Sequence, residues 1–202
     1  MFNNLSEAMD FIEMFTAMRD NVLETYGQEH RHYHNIEHIE NIVRSIPDDK
    51  YYTRVLIEAA IFHDFVYLPQ PHPYGLSEAL SVAEYMTYVM YAFVPDIFEK
   101  DRKSFEHERL VIEAINATTF HQFHQEHLSE PTKVFLDLDL KILSHPWEEF
   151  IAYDDAVAKE RGTTEGRADF LKDLLHKKQI YYVHPEWELA AKENLKKRIL
   201  MG

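Results

Sequence analysis

Cysteine is absent from the 202 residues, so no disulfide framework and no thiolate metal site exists, and any metal must be held by nitrogen and oxygen. Glycine is scarce, with 5 residues, which leaves too little turn punctuation for a β-sandwich or a dinucleotide-binding α/β fold. Positive charge is in the minority: 21 basic against 35 acidic residues give a formal net charge of −14. A surface of that sign repels nucleic-acid phosphates and anionic lipid, so neither a nucleic-acid polymer nor a membrane is an expected partner. A local basic pocket for a small anion is still compatible with that balance. No apolar run is long enough to span a bilayer, and no basic segment followed by an apolar core opens the sequence, so a cytoplasmic protein is expected.

Apolar residues make up 46% of the chain, enough for a substantial core. Their spacing is helical almost throughout, which predicts an all-α, compact, single-domain bundle over residues 1–202 with about eight or nine helices. Helices are expected at 6–26, capped by Ser6 and stopped by Gly27, then at 34–45 and 51–66. A proline-bearing loop at 68–76 follows, then helices from Ser77 to Phe93 and from 104 to 118, and a polar stretch at 119–131. A short helix around Val134–Leu143 and helices at 147–160 and 165–179 come next, and a last one starts at Pro185. The tail of the last helix, Lys196, Lys197 and Arg198, complements its dipole.

Histidine is abundant, with 13 residues concentrated at 30–38, at 121–127 and around 63. Without cysteine, such a composition suits imidazole–carboxylate metal chemistry. His63-Asp64 sits in the apolar run Ala59-Ala60-Ile61-Phe62…Phe65-Val66. Two such polar side chains in an apolar helix cost roughly a few kcal/mol unless satisfied, and a metal at the helix end satisfies both. A buried His–Asp hydrogen bond would also do so. His34 and His38 stand four apart, which places them on one face of the helix expected at 34–45. His34-Asn35-Ile36-Glu37-His38 also fits the H-x-x-E-H pattern of one zinc-peptidase class. Thr118…His121 and Asp137-Leu138-Asp139-Leu140 add a third and fourth polar group, the latter with carboxylates alternating among leucines, and Glu78…Ser81 a weaker fifth.

In order, His38, His63-Asp64 and Asp139 resemble the H…HD…D signature of the HD superfamily of metal-dependent phosphohydrolases. The chain is similar in particular to a branch of predicted HD hydrolases. It shares Tyr33-His34…His38, Phe62-His63-Asp64…Tyr67, Glu78…Ser81, Thr118…His121 and Asp137-Leu138-Asp139-Leu140, and then Gly166-Arg167, Leu171 and Ala191…Asn194-Leu195. The chain departs from that pattern in two places: Ser77 stands where asparagine is expected, and Ala158 and Arg161 flank Glu160 where an arginine and a tyrosine are expected.

The resemblance implies His38, His63, Asp64 and Asp139 as ligands of a divalent ion, with Mn, Fe, Ni, Mg and Zn all compatible with such donors. It prefers Asp139 to Asp137 because the superfamily ligand directly precedes the apolar stretch of its helix. Asp64 would also orient the attacking water, and His34 or His121 would protonate the leaving oxygen or hold phosphate. Arg31 is the expected phosphate clamp, Glu78 a further substrate contact, and loop 68–76 a rim over the site. The expected activity is hydrolysis of a small phosphate ester or phosphoanhydride, a nucleotide included, with homodimer formation left open. Two rivals are a metal- or ligand-sensing HD module without turnover and, ranked last, a zinc peptidase built on His34, Glu37 and His38.

Overall fold

The most buried helix of the molecule is the one that carries His63 at its end. In the computed structural model, which describes residues 2–11, 18–47, 51–68, 73, 75–93, 105–164 and 166–201, ten α-helices and no strand occur among the described residues. They are α1 (Leu5–Phe11), α2 (Arg19–Tyr26), α3 (Ile36–Ser45), α4 (Thr53–Phe62), α5 (Leu76–Phe93), α6 (Phe105–Thr118), α7 (Glu130–Asp139), α8 (Trp147–Arg161), α9 (Arg167–His176) and α10 (Glu188–Met201). Tight 3₁₀ turns extend α7 at Leu140–Ser144 and precede α10 at Pro185–Trp187.

α4 is apolar on every side, and every residue from Val55 to Phe62 is buried. It packs against α3, α5, α6 and α7, so burying each large side chain such as Leu56 or Phe62 contributes roughly 1.5–3 kcal/mol. Its buried charge, Glu58, accepts from Arg54 Nε at 2.8 Å and Tyr85 OH at 2.9 Å and pairs with His107 Nε2 at 2.8 Å. Buried carboxylates survive only with such partners.

Among the described residues, two hydrophobic clusters make up the interior. The first joins α1 to α7 around Ile39, Phe62 and Phe135. The second joins α8, α9, α10 and the Leu140–Ser144 turn around Phe150, Leu174 and Leu195. Trp187 touches both.

Local chemistry moves several expected boundaries. The single helix expected at 6–26 is described as α1 and α2, with 12–17 outside the described residues; Asn4, not Ser6, caps α1 by accepting from Glu7 N at 2.9 Å. Asn35 caps α3, accepting from Glu37 N and His38 N, so His34 falls before the helix instead of on its face. Ser77 lies within α5, where its hydroxyl accepts from Leu68 N at 3.2 Å. α8 ends as expected near Arg161, where Gly162 adopts φ 67°. No described helix is long and apolar enough to cross a membrane.

Candidate metal centre

Three element ends converge. The Asn35 cap orients the first turn of α3 and with it His38. α4 terminates at His63, whose Nδ1 lies 3.0 Å from the Ala60 carbonyl. That carbonyl is one of those a helix leaves unpaired at its C-terminus, and accepting from His63 keeps the Nδ1 proton in place. The neutral ring therefore turns the lone pair of Nε2 into the site, the tautomer that a metal ligand needs. Ser129 caps α7 and Pro131 opens it, and Asp139 is its last residue.

His38 Nε2 and His63 Nε2 face each other at 3.2 Å. Asp64 Oδ2 stands 2.9 Å from His63 Nε2, and Asp139 Oδ1 stands 3.2 Å from His38 Nε2 and 3.4 Å from His63 Nε2. Donor atoms of His38, His63 and Asp64 all lie within 4.8 Å of one another, so this buried group can hold a metal ion. His121 Nε2 bonds the outer oxygen of Asp139 at 2.8 Å. His34 Nδ1 pairs with Glu160 Oε2 at 2.7 Å, and its Nε2 lies 3.8 Å from Asp64 Oδ2.

The electrostatics follow from burying opposite charges together. Burial works against charge on His63, but Asp64 and Asp139 outweigh it and hold its pKa well above the imidazole range. Burial likewise opposes ionisation of Asp64 and Asp139, yet the surrounding histidines, His63 foremost, hold both below the usual carboxylate value. Burial pushes His38 down despite Asp139, whereas Asp64 and Glu160 lift His34 against the same effect.

These groups line a cavity of about 350 Å³ between the two hydrophobic clusters. Of the expected site residues, His34, His63, Asp64, Glu78, His121 and Asp139 line it, and His38 adjoins His63 beneath it. Arg31 does not fit the clamp role expected of it. It is 5% exposed, and its guanidinium donates to the carbonyls of His34 at 3.0 Å, Asp64 at 2.8 Å and Phe65 at 2.8 Å. Its fork is committed to closing the C-terminus of α4, where a cation also suits the helix dipole. Replacing Arg31 by lysine should therefore lower stability by about 2–4 kcal/mol in denaturant unfolding, because one ammonium cannot reach all three carbonyls. Wild-type stability in that variant would contradict the assignment.

The H-x-x-E-H string does not form a helical ligand pair: His34 precedes α3, and Glu37 is exposed. Asp137 turns away from the cavity and accepts from the backbone N–H groups of Tyr182, Val183 and His184 at 2.7–2.9 Å. Ser81 is structural, accepting from Val66 N at 3.0 Å. Of the loop expected as a rim, Leu68 and Gly75 line the cavity, while 69–72 and 74 lie outside the described residues.

Sequence reasoning gave no role to Tyr33, Tyr67, Tyr153, Glu160 or Arg167. Tyr33 packs its ring 4.7 Å from His38, and Tyr67 stacks on His34 at 4.6 Å. Glu160 is the partner that orients His34, and the one available signal was a carboxylate four residues after Ala156 on the same side of α8 as Val157 and Tyr153. No family model, curated protein or solved structure matches the chain.

Proposed function

We propose that the chain is a metal-dependent phosphohydrolase of the HD superfamily that cleaves a small phosphate ester or phosphoanhydride. The observation that carries this reading is the convergence of His38, His63 and Asp64, with Asp139 beside them, at the wall of a cavity large enough for a small molecule. The order of those residues along the chain is that of the H…HD…D signature. Fold alone would not carry the reading, because helical bundles host many activities.

The donor set fits a divalent ion: two imidazoles, one with its tautomer fixed by Ala60, and two carboxylates of lowered pKa. His38, His63, Asp64 and Asp139 would hold it. Bound there, a divalent ion supplies Lewis acidity, which acidifies water and offsets charge on phosphoryl oxygens. The remaining work falls to the chain's own groups. Asp64 lies between His63 and His34 and can accept a hydrogen bond from water at Oδ2. His34, whose pKa Asp64 and Glu160 raise against the effect of burial, can donate a proton from Nε2 to a leaving oxygen. Glu160 fixes the ring that does so. His121 holds Asp139 in place, and Tyr33, Tyr67 and Tyr153 give that wall its aromatic lining.

The test is a hydrolysis screen over nucleotides and simple phosphate esters, with metal-stripped chain reloaded with Mn²⁺. Turnover is expected to require the metal, and His34→Ala is expected to lower kcat by roughly a hundredfold or more while metal content stays unchanged. Bound metal with no turnover on any phosphate substrate would favour a sensing module instead.

A further inference from the structure

The cavity has a second end, chemically unlike the first. Two aromatic layers separate it from the imidazoles: Tyr33 packs 4.7 Å from His38, and Tyr153 packs 4.6 Å from Tyr33. Beyond them lies Arg167, its guanidinium carbon 5.2 Å from the Tyr153 ring and 5.3 Å from the Phe170 ring. Arg167, Tyr153 and Phe170 all line the cavity, as does a second cation, Arg161.

Arg167 is only 7% exposed, and its Nε donates to Asp154 Oδ1 at 2.7 Å. Asp154 is fully buried, and its other oxygen accepts from Arg198 Nε at 2.6 Å. Two guanidinium groups thus share the one buried carboxylate of Asp154. Arg167 Nη2, moreover, is sealed from solvent with no hydrogen-bond partner among the described residues. A buried charged donor is rarely left so, and where it lines a ligand cavity the missing partner belongs to the ligand.

We propose that this end of the cavity binds a second anionic group of the substrate, a carboxylate or a second phosphate, with Arg167 as its principal contact. The inference rests on the phosphohydrolase reading for the first group, the phosphoryl held near His63 and Asp64. It narrows the substrate to compact molecules with acidic groups at both ends, and a neutral alcohol monophosphate would leave Arg167 unsatisfied. Tyr153 and Phe170 flank the guanidinium and hold it at the cavity, with Nε committed to Asp154 and Nη2 left to meet an oxyanion.

Calorimetric titration of the Mn²⁺-loaded full chain with three non-hydrolysable probes tests this: ethylphosphonate, 3-phosphonopropionate and propane-1,3-bisphosphonate. The two doubly acidic probes should bind roughly ten- to hundredfold tighter than ethylphosphonate, and the tighter of the two identifies the second group as carboxylate or phosphate. Arg167→Gln should erase that gap and leave ethylphosphonate binding as it was. Equal affinity of the wild type for all three would overturn the proposal, and so would an equal loss for all three in Arg167→Gln, which would put Arg167 on the shared phosphonate. Should that variant not fold, Arg167→Lys, which keeps the charge without the fork, should narrow the gap, and an unchanged gap there would overturn the proposal. A persistent gap in a chain that hydrolyses no phosphate ester would overturn only the phosphohydrolase reading, whereas turnover without a gap would overturn only this one.

Discussion

Substituting His63 or Asp64 with alanine is expected to weaken metal binding by at least about a hundredfold, since even outer partners of ligands are worth ten- to hundredfold. Elemental analysis of untagged protein equilibrated with limiting Mn²⁺ reads this directly, and unchanged metal content in both variants would remove the basis of the proposed function. The pH dependence has a definite sign. In the metal-free chain His63 holds its proton well above the ordinary imidazole range, because Asp64 and Asp139 outweigh burial. Ligation must displace that proton, so affinity falls as pH falls. The raised His63 pKa also stabilises the metal-free fold below the unfolded histidine value of about 6.5, and that contribution is lost as pH rises through the folded value. The lowered pKa values of Asp64 and Asp139 contribute above about 3.9 and are lost in acid. Mn²⁺ should accordingly raise the melting temperature more on the alkaline side than near pH 6.

Asp137→Asn should do the reverse, leaving metal content intact while unfolding the chain more easily. Its carboxylate gathers three successive backbone N–H groups, those of Tyr182, Val183 and His184, and an amide would turn an N–H toward at least one of them. Leaving charged-group hydrogen bonds of this kind broken costs about 3–5 kcal/mol. For a chain of 202 residues that corresponds to a drop in melting temperature of roughly 6–20 °C. Loss of metal at unchanged melting temperature would mean that the roles of Asp137 and Asp139 are the other way round.

That pair shows what was legible in the sequence. Periodicity locates the helices because most bury one stripe, and the resemblance selects Asp139, which does sit among the imidazoles. Nothing local distinguishes Asp137, since its partners are backbone groups more than forty residues downstream. Arg31 misled for the same reason: an arginine beside histidines suggests an anion site, but its partners are carbonyls of a helix end met only after folding. His34 misled through capping, since Asn35 competes for the first turn and ejects it from α3. Glu160 and Arg167 required knowing that α8 meets the Tyr33-His34 segment ahead of α3 and that Arg167 faces the same cavity, information carried by tertiary packing alone.

Both halves of the molecule wall the cavity, and Leu140, Tyr153 and Val157 of the second cluster line it directly. His63 and Asp64 hang from the first and Tyr153 and Arg167 from the second, while Asp139 lies at the joint between α7 and the Leu140–Ser144 turn. A small parting of the two halves would separate these side chains and leave each core packed. Competence at the site is thus a stricter condition than being folded, and with thermal or chemical stress ligand binding should fade before helix content does.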